Sequence, residues 1–122
     1  MEWQFRSDLP IYTQLTQRLT QAIVAGEFQP GERLPTVRDL AVEAGVNPNT
    51  VQRALADLER DGLVFSQRTA GRFVTENVPT IENAKFRLAD KCVADFLSEM
   101  AKLGCSREEV LLLLQDVKEE EK

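Results

Sequence analysis

Asn49, Thr50, Gln52 and Arg53 fall within five consecutive positions of the stretch G-V-N-P-N-T-V-Q-R-A-L, residues 45–55. Asparagine and glutamine each set an acceptor beside a donor, the pattern that pairs with an adenine edge. Arginine offers a forked donor edge that matches guanine, and the threonine methyl matches that of thymine. The competing reading is an ordinary capped, solvated helix face. Catalytic chemistry has less to work with. The chain has no histidine, which removes the commonest general base and any Ser-His or Cys-His nucleophile pair. Cys92 and Cys105 form no C-x-x-C unit and read as reduced, partly buried helix residues, so no metal site is expected. Glu108, Glu109 and Glu119 to Glu121 read as helix caps and tail rather than as a paired-carboxylate site. The chain is expected not to be an enzyme and to need no cofactor.

The elements that must carry the polar set follow from apolar spacing. Ile11, Leu15, Leu19, Ala22 and Ile23 recur at helical intervals, with Pro10 suited to the first helical position and Gly26 to the stop. The segment Q-P-G-E-R-L-P, with two prolines and a glycine, reads as a turn and a short extended connection. Thr36 can cap a second helix with a Val37, Leu40, Ala41, Ala44 stripe, ended by Gly45 in a left-handed conformation. Asn47 can cap a third, with Pro48 in its first position and Val51, Ala54, Leu55 and Leu58 turned inward. Two short helices joined by a tight glycine turn make a helix-turn-helix. Beyond Gly62, apolar runs at Leu63 to Ser66 and Arg72 to Thr75 flank a turn containing Thr69, Ala70 and Gly71, which predicts a β-hairpin.

Arg38 points away from the stripe of the second helix, toward the same groove as the third. Arg68 and Arg72 flank the hairpin tip at Gly71, as a wing laid on a DNA backbone or minor groove requires. The net charge of −5 argues the other way. Its distribution answers the objection. From Arg33 to Arg72 there are six arginines against five acids, whereas residues 79–122 carry seven basic and ten acidic residues.

At Pro79 the composition changes. Ala89, Val93, Phe96, Met100 and Leu103 predict a long helix over Ile81 to Leu103. Gly104 breaks it, and S-R-E-E (106–109) is a capping-box signature opening a last helix from Arg107 to about Lys118. Val110 to Leu114 is apolar on all sides, which a helix at the edge of a small monomer cannot bury. A partner chain is the natural cover. The final K-E-E-E-K reads as a frayed, solvated tail. With 122 residues and no long apolar run or signal pattern, the expectation is a cytoplasmic protein without membrane contact. The expected fold is mainly α with a small β-hairpin. Residues 1–78 form a winged helix-turn-helix DNA-binding domain, and residues 79–122 a two-helix dimerisation region.

From about Leu9 to Val74 the sequence resembles the winged-helix domain of the GntR family of bacterial transcription regulators. The pattern G-x-x-L-P-[ST]-x-R-x-L-A runs from Gly31 to Ala41, N-T-V-x-x-A-L from Asn49 to Leu55 and D-G-L-V from Asp61 to Val64. The C-terminal part resembles the short two-helix tail of the YtrA subfamily. The resemblance implies homodimers that bind palindromic operators, commonly repressing ABC transporter operons, with any small-molecule effector unidentified. It matches Arg38 to a base-contacting arginine, Asn49 and Thr50 to the polar start of the recognition helix and Gly71 to the wing-tip glycine. Many members carry arginine at the positions of Pro48 and Gln52, and glycine at that of Thr69, so the bases read there are not inherited. The expected DNA-binding set is Thr36, Arg38, Asn47, Asn49, Thr50, Gln52, Arg53, Arg68, Gly71 and Arg72. The expected dimer contacts are Val93, Phe96, Met100, Val110, Leu111, Leu113 and Leu114. The rival function is a winged-helix module that binds protein rather than DNA, favoured by the acidic balance and the helical tail.

Overall fold

The computed structural model describes residues 1–117. Its first helix, α1 (Ile11–Val24), presents Leu15, Leu19, Ala22 and Ile23 to the interior. Pro10 stands one position outside it, with extended backbone (φ −57°, ψ 133°), rather than in its first turn. Helices α2 (Val37–Ala44) and α3 (Pro48–Arg60) follow, joined through Gly45. At φ 70° and ψ 35° that glycine occupies the left-handed region, which a side chain at this turn would disfavour.

Strands β1 (Val64–Gln67) and β2 (Gly71–Val74) pair antiparallel, Val64 opposite Val74 and Gln67 opposite Gly71. The hairpin lies within one residue of its expected limits. The segment before α2 adds to it, because Arg33 forms an antiparallel bridge to Phe73. Leu34 N donates to Arg72 O at 2.8 Å, and Val74 N to Glu32 O at 2.9 Å. The expected extended connection therefore runs beside β2, joined to it by a single bridge, and the sheet itself keeps two strands.

The core of the first compact unit, Met1–Phe86, joins these elements. Leu15, Leu19, Leu40, Val51, Leu55, Leu58, Leu63 and Val74 are fully buried, and Ile81 and Ala84 close the same cluster. Each such leucine contributes about 1.5–3 kcal/mol of burial. Trp3 and Phe5 stack on one another (5.9 Å between centroids) and pack against the cluster. Trp3 Nε1 donates to Glu43 Oε1 at 3.2 Å, tying the N-terminal segment to α2.

Helix α4 (Val78–Lys102) starts three residues before the expected Ile81, so Pro79 sits in its first turn. A missing N–H is harmless there, since that turn has no acceptor for it. Asn77 Oδ1 caps Thr80 N at 3.1 Å. The expected division at 78/79 falls at the start of this helix, whereas the compact units divide within it, at Phe86 and Arg87.

In the second unit, α5 (Arg107–Asp116) opens with the anticipated capping box. Glu109 N donates to Ser106 Oγ at 3.1 Å and Ser106 N to Glu109 Oε1 at 3.0 Å. These contacts hold the Glu109 carboxyl below its usual range, the backbone bond from Ser106 foremost. The expected K-E-E-E-K tail lies outside the described residues. Val110 corrects one expectation. At 3% exposed it is covered by its own chain, so it is not free to meet a partner. Leu111, Leu112, Leu113 and Leu114 remain 48–62% exposed, as do Val93 and Phe96 to a similar degree, while Met100 is half-buried.

Candidate nucleic-acid interface

Two side-chain caps set the geometry of the helix-turn-helix. Thr36 Oγ1 accepts from Asp39 N at 3.1 Å, and Asn47 Oδ1 accepts from Asn49 N at 2.8 Å. Both polar groups are thus engaged in starting α2 and α3, and Pro48 occupies the start of α3. Because the cap fixes the phase of α3, Val51, Ala54, Leu55 and Leu58 all turn inward. Asn49, Gln52 and Arg53 are left exposed, and Thr50 half-buried. Arg38 is exposed on α2. The start of α3 itself offers no free N–H to a phosphate oxygen, because Pro48 has none, Asn49 N donates to Asn47 Oδ1 and Thr50 N donates to Asn47 O at 2.9 Å.

The Arg53 guanidinium lies over the Tyr12 ring of α1, its carbon 3.8 Å from the ring centroid. The Tyr12 hydroxyl donates to Asp57 Oδ2, while Asp57 Oδ1 pairs with Arg60 at 3.1 Å. The outer face of α3 is therefore braced against α1.

In the wing, Arg68 is exposed and the tip closes through Ala70 N donating to Gln67 O at 3.0 Å. Gly71 has φ 108°, and a Cβ there would stand 3.1 Å from Arg33 Nε. The guanidinium of Arg33 is thus packed beside the wing tip. Arg72 departs from expectation. Its Nε lies 2.8 Å from Glu59 Oε1, which also accepts from Ser66 Oγ at 2.6 Å. The Ser66 hydroxyl, and next Arg72, hold the Glu59 carboxyl below its usual range. Arg72 is accordingly a half-buried strut from wing to recognition helix, with its charge already neutralised. Phe65 and Phe73 stack across the hairpin, 5.7 Å apart, and stiffen it.

The ion pairs sort the arginines of this unit into two sets. Arg6, Arg18, Arg60 and Arg72 pair with Asp8, Glu27, Asp57 and Glu59. Among the described residues, Arg33, Arg38, Arg53 and Arg68 enter no ion pair. Positive charge is left unspent on the helix-turn-helix and wing, whatever the net balance of the chain.

The family model of the "Bacterial regulatory proteins, gntR family" matches residues 11–74, more than half the chain. The protein belongs to the GntR family. Over 111 residues it is 37% identical to the HTH-type transcriptional regulator YhcF of Bacillus subtilis, covering 91% of this chain and 92% of that one. It is 41% identical over 75 residues to the transcriptional repressor YtrA of the same organism, covering 62% of this chain and 58% of that one. A GntR family transcriptional regulator from Listeria monocytogenes superposes with a TM-score of 0.84 at 35% identity, covering 93% of this chain and all of that one. The DNA-binding domain of AraR in complex with operator ORX1 superposes at 0.57 and 30% identity, over 62% of this chain and 96% of that one. This GntR chain is thus a DNA-binding transcriptional regulator of winged helix-turn-helix fold, and neither its family nor these relatives are enzymes. No helix among the described residues is long and apolar enough to cross a membrane.

Arg33, Tyr12 and Glu59 are the residues of this interface that sequence reasoning does not single out. Arg33 had a signal, since a basic residue between Gly31 and Leu34 alternates outward in an extended segment. Tyr12 had none, because its contact to Asp57 spans 45 residues of chain.

Proposed function

We infer that this GntR protein is a cytoplasmic homodimeric repressor of YtrA type that binds a palindromic operator, with an ABC transporter operon as the regulated unit. The observation that carries the DNA-reading part is the exposed set Asn49, Gln52 and Arg53 on an α3 capped by Asn47, beside unpaired Arg38. Asn49 and Gln52 supply paired donors and acceptors for base edges, with the half-buried Thr50 beside them, and Arg38 a forked donor for guanine. Arg68 at the wing, with Gly71 allowing close approach, contacts the backbone. Thr36 and Asn47 contribute by fixing where α2 and α3 begin, and Arg72 through the posture of the wing.

Dimerisation rests on the exposed apolar surface of the second unit. Val93, Phe96, Leu111, Leu113 and Leu114 are too numerous on a small monomer to stay in water. Two copies bring two recognition helices, and their symmetry calls for inverted half-sites. The YtrA assignment is supported by the 41% identity and the short helical tail.

The test is binding of the chain to duplexes from its own upstream region. Arg38→Ala is expected to weaken binding to the preferred duplex by about 1–3 kcal/mol, as loss of a bidentate base contact does. An unchanged affinity removes Arg38 from the interface. Recovery of a protein partner with no duplex bound would favour the protein-binding reading instead.

A further inference from the structure

Arg53 is held differently from the other arginines of its helix and wing. The nearest acid on its face of α3 is Asp57, one turn on, but that carboxylate is occupied: Oδ2 accepts from the Tyr12 hydroxyl and Oδ1 pairs with Arg60 at 3.1 Å. The guanidinium of Arg53 instead rests on the Tyr12 ring, 3.8 Å from its centroid. The difference matters chemically. A carboxylate consumes the in-plane N–H donors of an arginine, as Glu59 does with Nε of Arg72. An aromatic ring covers only a flat face and leaves the donor edge free.

We propose that Tyr12 is a positioning residue for DNA binding, whose ring fixes the Arg53 guanidinium with its N–H edge outward, toward paired acceptors on DNA. The idea rests on the DNA-reading role of α3. Its physical basis is entropy. A solvated arginine gives up many rotamers on forming a bidentate contact, and a ring that already restricts them lowers that loss. The hydroxyl has a separate task. By bonding Asp57 it fixes the ring plane and keeps the nearest carboxylate from capturing Arg53. The acceptors are a guanine edge or a phosphate, which present the same geometry to a guanidinium.

The test uses the full chain, a duplex selected from a random pool and a scrambled duplex of equal length, read by fluorescence anisotropy. Tyr12→Leu is expected to weaken binding about two- to fivefold, the range of a surface cation–π contact. Tyr12→Phe keeps the ring but frees Asp57 Oδ2, so its affinity should fall between those of the wild type and Tyr12→Leu. In the Arg53→Ala background Tyr12→Leu should change nothing further, a non-additivity that general loosening of the fold would not produce. Thermal unfolding of each variant checks that the folded fraction is unchanged. Loss confined to the selected duplex assigns Arg53 to a base, and equal loss on both assigns it to phosphate. Either supports the positioning role. Wild-type binding with full affinity in Tyr12→Leu, or an undiminished effect of that change without Arg53, overturns it. A random pool from which the wild type selects no duplex overturns the DNA-reading role itself.

Discussion

Replacing Glu59 with glutamine tests how the wing is held to the recognition helix. Glu59 Oε1 accepts from Ser66 Oγ at 2.6 Å and from Arg72 Nε at 2.8 Å, joining α3 to both strands of the hairpin. Hydrogen bonds to a charged group contribute about 1.5–3 kcal/mol when buried. Here the Arg72 and Glu59 side chains are 23% and 34% exposed, so solvent screening brings the pair to about 1 kcal/mol. Glu59→Gln keeps an acceptor for Ser66 and loses the ion pair. Urea unfolding should therefore show a loss of about 1 kcal/mol, or about 4–8 °C in Tm for a unit of this size. Arg72→Gln should cost about the same, and the double variant little more than either, because the two act through one contact. The pH dependence has a fixed sign. The folded carboxyl is held below its usual value of 4.5, first by Ser66 and then by Arg72, so the unfolded chain takes up the proton first. The stabilisation is complete above that value and disappears as pH falls through the lowered folded pKa, where wild type and Glu59→Gln should converge. Fully additive single losses, or a gap between the two that persists in acid, would refute the strut.

The other expectations concern the turn, the caps and the partner surface. Gly71→Ala places a side chain at φ 108°, a conformation that should cost about 1–2 kcal/mol in urea unfolding; the Arg33 side chain can move aside, so a loss far above this would show a different constraint. Asn47→Ala removes the α3 cap and should lower stability by about 1 kcal/mol. Asn49→Ala, by contrast, should leave unfolding unchanged and weaken DNA binding, and a reversal of the two would exchange their roles. Leu111→Lys combined with Leu114→Lys should shift the chain to a monomer in sedimentation equilibrium, whereas an unmoved dimer would place the interface elsewhere.

Local rules made the helix-turn-helix legible. The Thr36 and Asn47 caps, Pro48 and Gly45 each act over a few residues, and the inward stripe of α3 follows from its periodicity alone. The interface was less legible wherever a side chain had a choice of partner. Arg72 alternates outward from the hairpin tip in sequence, yet Glu59, thirteen residues earlier, takes its charge. Arg53 was visible as an outward residue, but the ring that holds it comes from α1. Val110 belongs to a run apolar on all sides, and no periodicity within such a run says which member its own chain will bury. Pro79 looked like punctuation because proline disrupts a helix interior, yet in a first turn it is tolerated.

A twofold DNA site is the proposed target of α3 and the wing. Selection of bound sequences from a random duplex pool by the wild-type chain tests it most directly. The expected outcome is convergence on an inverted repeat with half-sites about 10 base pairs apart or a multiple of that, and loss of that motif when Asn49, Gln52 and Arg53 are replaced together. A pool that enriches no motif, or one that the triple variant enriches equally well, would contradict it.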